Sequence, residues 1–121
     1  MDKQLGYDFI GAALEVFHIL GGGMSEEIYQ QALEHELGLR KILFSSKKKL
    51  NVSYKDKVLE KTYIPDLYIG NDIIVELKAV KELMNDHIAQ LLNYMRITNV
   101  KTGYLVNFGN HKELEWKRFV I

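Results

Sequence analysis

The sequence contains no cysteine, which removes disulfides, thiolate nucleophiles and Cys-ligated zinc from consideration. It has no net charge either, with 16 basic and 16 acidic residues. No global field therefore draws the chain to nucleic acid or to an anionic membrane, and any such contact must come from a local patch. Low-complexity segments and internal repeats are missing. Asp2, Asp8, Glu15 and His18 interrupt the apolar N-terminus, so it reads neither as a secretory leader nor as a spanning helix. The expectation is a cytoplasmic protein with no membrane partner. What is present is ordinary: 121 residues, 47% hydrophobic and 26% charged, which suits one globular domain over residues 1–121 with a buried core.

Leu5, Phe9, Ala12, Val16 and Leu20 recur at three- and four-residue spacings and predict an amphipathic helix over about 4–20. Gly21-Gly22-Gly23 then stops it. A glycine triplet that follows a helix, with no Gly-Lys-Ser/Thr sequence behind it, reads as a chain reversal rather than a phosphate loop. Ser25 is placed to cap a second helix running to about Leu37, with Glu26 and Glu27 in its first turn. Tyr29, Leu33 and Leu37 form its inward stripe. Glu26 stands at the head of that stripe, either as a first-turn acid or as a carboxylate aimed at the sheet, while Glu27 and Glu34 are expected to face away.

Lys47-Lys48-Lys49 reads as a solvated edge gatekeeper rather than a phosphate patch. Alternating Leu50, Val52 and Tyr54, a turn at Asp56-Lys57 and a strand from Val58 into Ile64 predict an antiparallel meander. It leads into Ile64 to Lys78, two short apolar strands joined at Gly70-Asn71-Asp72. Glu76 and Lys78 share one face of the second strand, Val75 and Leu77 the other. A two-residue loop would separate Asp66 from Glu76; with a three-residue loop, Ile69 pairs with Ile73 and Asp66 falls opposite Glu76 on the same face. Cross-strand Cβ atoms then lie about 5 Å apart, close enough for two carboxylates to grip one small hard cation. The competing reading is a solvated face on which Lys78 neutralises an acid.

A helix over Glu82 to Ile97 follows, buried through Met84, Ile88, Leu91, Leu92 and Met95. A second stripe on it carries His87, Gln90 and Tyr94; His87 has no fixed partner and reads as a hydrogen-bonded bystander rather than a general base. Strands over 103–108 and Leu114 to Ile121 close the chain, and a strand, helix, strand unit implies a crossover and a mixed sheet. Trp116 on the last strand marks a candidate homodimer edge.

Together, Gly23-x-x-Glu26-x-x-Tyr29, Pro65-Asp66, Glu76-x-Lys78, Gln90-x-x-x-Tyr94 and Asn107-Phe108-Gly109 follow the order and spacing of a known pattern. The chain resembles the GxxExxY proteins, a small-domain branch of the PD-(D/E)xK nuclease superfamily, over nearly its whole length. The resemblance implies a restriction-endonuclease-like α/β core, a mixed sheet flanked by helices, and a metal-dependent nuclease acting on DNA or RNA, or a catalytically silent module that keeps the fold. It implies Asp66 and Glu76 as ligands of Mg²⁺ or Mn²⁺, and Glu26 as a third acid acting directly or through water. Lys78 would orient water or stabilise charge, while Gln90 and Tyr94 would line the site and hold Lys78 or a phosphate. An all-oxygen donor set suits such ions.

Overall fold

The structure, a computed structural model, describes residues 3–121; Met1 and Asp2 lie outside the described residues. The elements run α1 (Lys3–Leu20), α2 (Glu26–Leu39), β1 (Phe44–Ser46), β2 (Leu50–Tyr54), β3 (Lys57–Tyr63), β4 (Leu67–Ile69), β5 (Ile73–Lys78), α3 (Asn85–Thr98), β6 (Thr102–Asn107) and β7 (Glu115–Val120). A five-stranded sheet has the order β1-β4-β5-β6-β7, and β2 and β3 form a separate ribbon. β5 and β6 are parallel and the remaining sheet pairs antiparallel, giving the expected mixed sheet.

Alternation on the central strands sends two sets of side chains to two cores. Val75, Leu77, Tyr104, Val106 and Phe108 pack under α1 and α2. Ile74 and Leu105 pack with Leu91 and Met95 of α3 and with Tyr63 of the ribbon. The molecule is therefore layered, with α1 and α2 on one face of the sheet and α3 with the ribbon on the other. Both faces are covered, which is why Ile73 to Leu77 is apolar almost throughout.

Three expectations change. The meander does not run on into the sheet, because the chain breaks from ribbon to sheet around Pro65 and β4 pairs instead with β1. β1 is three residues long, too short to carry a readable period. The ribbon turns at Lys55-Asp56, both with positive φ (48° and 67°), one residue earlier than expected. α3 begins at Asn85 rather than Glu82, since the preceding segment spends its amides elsewhere: Asn107 Oδ1 accepts from Val80 N at 2.9 Å, and Glu115 accepts from Leu83 N at 3.2 Å. Met84 accordingly lies outside the buried stripe and is 55% exposed.

Asn107 is fully buried and also donates through Nδ2 to Val80 O (2.8 Å) and Glu115 Oε1 (2.9 Å). It clamps the segment that leaves β5. Gly109 is required beside it, because a Cβ there would lie 2.2 Å from Val80 O. Asn107-Phe108-Gly109 is thus a splice between β6 and the β5–α3 connection.

The glycine, glutamate and tyrosine ahead of and within α2 divide in a similar way. Gly23 has φ +100°, a conformation open to glycine. Tyr29 OH donates to Gly21 O at 2.5 Å and accepts from Met24 N at 3.2 Å, and its ring stacks on Phe108 at 4.4 Å. Ser25 occupies the N-cap, but its side chain makes no cap bond. The tyrosine latch sets the helix entry instead, and Glu26 is left exposed in the first turn. Tyr29→Phe should remove both latch bonds and lower unfolding free energy by about 1–3 kcal/mol, measured by urea denaturation; an unchanged midpoint would mean that stacking on Phe108 alone holds the entry.

Candidate active site

The β4–β5 loop spans Gly70 to Asp72, with Gly70 at φ +60°, and Ile69 pairs with Ile73, Tyr68 with Ile74 and Leu67 with Val75. Continuing that register by one residue sets Asp66 opposite Glu76. Asp66 Oδ2 accepts from Leu77 N at 2.8 Å, and Oδ1 lies 2.9 Å from Lys47 Nζ. Its backbone carbonyl accepts from Gln30 Nε2 at 2.9 Å. Gln30 is buried on α2 and donates as well to Glu34 Oε2 at 2.7 Å, which also takes the Ser46 hydroxyl at 2.6 Å. The edge strand, α2 and the start of β4 are thereby tied at one carboxylate.

Glu76 points to the α3 side of the sheet and accepts a hydrogen bond from Tyr63 OH. Burial pushes its carboxyl up to about 8; the Tyr63 bond opposes this, the Asp66 carboxylate within hydrogen-bonding reach adds to it, and Lys78 opposes it. Burial, reinforced by the Glu76 charge, also raises the Tyr63 hydroxyl. The Tyr63 ring stacks on Tyr94 at 3.8 Å with an 8° tilt. Two carboxylates held side by side in a partly dry position repel each other, and a cation between them would relieve that repulsion.

Two recesses flank the pair. Glu76, Gln90, Tyr94, Tyr63 and Lys61 line one; Asp66, Glu26, Glu27, Gln30, Glu34 and Lys47 line the other. Glu27 and Glu34 therefore face the cleft rather than away from it, because α2 lies with its flank along the β1–β4 edge. Glu26 shares the recess with Asp66, yet among the described residues no three His, Asp or Glu side chains converge as a metal-binding group. Tyr94 braces Tyr63 and makes no hydrogen bond to Lys78. Lys78, half-buried on the same face as Glu76, has no ion-pair partner among the described residues. His87 Nδ1 accepts from Met84 N at 3.0 Å and so caps α3, consistent with a bystander.

Sequence reasoning missed Lys47, Tyr63, Gln30 and Glu34. Gln30 left a signal, as a polar residue three and seven positions before Leu33 and Leu37 on the inward stripe. Lys47 and Tyr63 left none, since their roles depend on partners 19 and 13 residues away.

A model of the PD-(D/E)XK nuclease superfamily matches residues 3–119. Among solved structures, that of SSO0001 aligns with a TM-score of 0.60 at 20% identity, covering 78% of this chain and 50% of the other. An alkaline exonuclease from Laribacter hongkongensis aligns with a TM-score of 0.56 at 12% identity, covering 78% and 55%. The chain thus spans about half the length of these two structures, and at such identities the likeness is one of fold. No protein of curated function matches the sequence.

The raised Glu76 carboxyl has a thermodynamic consequence. Between its ordinary value of 4.5 and about 8, the folded protein keeps a proton that the unfolded chain releases, so stability falls as pH rises through that range and levels off above it. Urea denaturation of the metal-free protein at both ends of the range should show this loss, and Glu76→Gln should remove most of it; parallel slopes in the two proteins would place the shift on another group.

Proposed function

Because the chain belongs to the PD-(D/E)XK nuclease superfamily, we propose that it is a metal-dependent nuclease core that hydrolyses phosphodiester bonds of DNA or RNA. The observation that carries this reading is the Asp66–Glu76 pair, with Lys78, which has no ion-pair partner among the described residues, two positions further along the same strand face. One neighbour of similar fold is itself an alkaline exonuclease, which supports the reaction class.

The donor set fits a hard divalent cation. Asp66 and Glu76 stand opposite one another where the β4–β5 register continues by one residue, and the sequence has no cysteine to offer a thiolate ligand. Mg²⁺ or Mn²⁺ would be held by Asp66 and Glu76, with Glu26 contributing through water from its position on the neighbouring recess. Such an ion, when bound, makes a coordinated water more acidic and draws off charge that builds on the phosphate.

The chain's own groups do the rest. The Leu77 amide and the Gln30 bond to the Asp66 carbonyl fix the direction of the Asp66 carboxylate. Tyr63, held flat by Tyr94, does the same for Glu76. Lys78 presents its ammonium beside Glu76, where it orients the attacking water or stabilises negative charge on phosphorus-bound oxygen. Gln90, exposed at the rim, donates to a substrate phosphate. In the hydrolysis, the attacking water gives up a proton as its oxygen bonds to phosphorus, the bond to one ester oxygen breaks, and the departing alkoxide takes up a proton in balance, giving a phosphate monoester and an alcohol.

Calorimetric titration of Mn²⁺ should give about one ion per chain in the wild type, with binding lost in Glu76→Gln and weakened at least tenfold, about 1.4 kcal/mol, in Asp66→Asn. Lys78→Ala should retain that binding while cleavage of a labelled nucleic acid falls by about 10²-fold or more, the loss expected when one preorganised stabiliser of charge is removed. A wild type that binds no Mn²⁺ at millimolar concentration, or a Lys78→Ala variant that cleaves at the wild-type rate, would overturn the assignment.

A further inference from the structure

Lys47 stands where the proposed chemistry leaves a lysine unexplained. It occupies the turn between β1 and β2 in a left-handed conformation, φ 56°. Its side chain is 56% exposed, yet the ammonium reaches in to 2.9 Å from Asp66 Oδ1, whose side chain is 20% exposed. The turn is tied down on either side of this contact: Lys47 N donates to Asp66 O at 3.4 Å, and Ser46 Oγ donates to Glu34 Oε2 at 2.6 Å. The Asp66 bond, together with the charges of Asp66, Glu76 and Glu34, raises the Lys47 ammonium against the opposing cost of its burial. The ammonium thus pairs with Asp66 in a recess that Glu34 of α2 also lines. Its neighbour is engaged elsewhere, since Lys48 Nζ lies over the Tyr68 ring at 4.5 Å.

We propose that Lys47 is the resident counter-cation of this cleft: its ammonium holds the position beside Asp66 that a divalent ion takes, and the ion binds by displacing it. The inference rests on the reading of Asp66 and Glu76 as ion-holding residues. An ion pair with one largely exposed arm is weak, so the exchange is easy, whereas Leu77 N keeps the other Asp66 oxygen in place throughout. A divalent ion also carries twice the charge and accepts several oxygens at once, which one ammonium with three donors cannot match. In the ion-free protein Lys47 offsets the acidic wall of Glu26, Glu27, Glu34 and Asp66, so that the cleft does not repel a polyanion. Once displaced, its ammonium is free at the rim of the recess that Asp66 lines.

The test is Mn²⁺ titration of the wild type, Lys47→Met, Lys47→Arg and Glu76→Gln, with thermal unfolding of each in the presence and absence of Mn²⁺. Lys47→Met should bind Mn²⁺ about tenfold more tightly than the wild type, a difference of about 1.4 kcal/mol, and gain more in midpoint on adding the ion. Lys47→Arg, which keeps the charge, should stay near the wild type. Equal or weaker binding by Lys47→Met, with Glu76→Gln still abolishing it, would overturn the displacement and leave the nuclease reading standing. Absence of binding in every protein would overturn both. Should Lys47→Met fail to fold, the Nζ resonance of Lys47 in the wild type decides: it should move towards that of a free lysine as Mg²⁺ is added, and a resonance that stays put in the ion-bound protein would sink the proposal.

Discussion

The register between β4 and β5 is the constraint on which the rest depends. A three-residue loop with Gly70 in the left-handed region pairs Ile69 with Ile73, and from that pairing every face assignment follows. A slip of one residue would turn Val75 and Leu77 out of the α1–α2 core and bring Glu76 and Lys78 into it. Burial on both sides forbids this slip. The apolar packing of the two cores therefore also fixes where the carboxylates stand, and no separate interaction is needed to place them.

Holding Asp66 beside Glu76 has an electrostatic cost that the surrounding structure distributes. Lys47 neutralises one carboxylate and Tyr63 donates to the other, while burial above all, with Asp66 adding to it, raises the proton affinity of Glu76. A buried ionisable group without such partners would be strongly destabilising. Each partner comes from an element packed for other reasons: Lys47 from the turn after the edge strand, Tyr63 from the ribbon that covers α3. Asn107 plays the corresponding part in the backbone, securing the segment just beyond Lys78 so that the end of β5 is held from both sides.

The fold was largely legible because its long elements carry clear periods. The stripes of α1 and α2 and the apolar run of β5 fell where spacing put them, and the parallel pairing of β5 with β6 followed from a helix between two strands. What escaped was short or set by side-chain bonds made at a distance. β1 has three residues and no period. The ribbon's separation from the sheet turns on which strand wins the edge beside β4, a choice made by packing. The late start of α3 reflects amides claimed by Asn107 and Glu115, which lie across the sheet, and local propensity has no access to them.

The candidate site divides along the same line. Glu76 and Lys78 could be set on one face from sequence alone, because strand alternation is a local rule; Asp66 joined them only with a three-residue loop, the length that the structure has. Glu26 could be placed at a helix start, and the glycine and tyrosine around it now have structural duties in the latch to Gly21 and Phe108. Sequence by itself determined the fold class and which residues of β5 share a face, and it offered Asp66 opposite Glu76 as one of two registers. Only the tertiary structure decided that Lys47 sits on Asp66, that Tyr63 sits on Glu76, that Gln30 holds the Asp66 carbonyl and that Glu27 and Glu34 turn toward the cleft. Those contacts join residues 13 to 36 positions apart, and a contact at that separation exists only once the layers have packed.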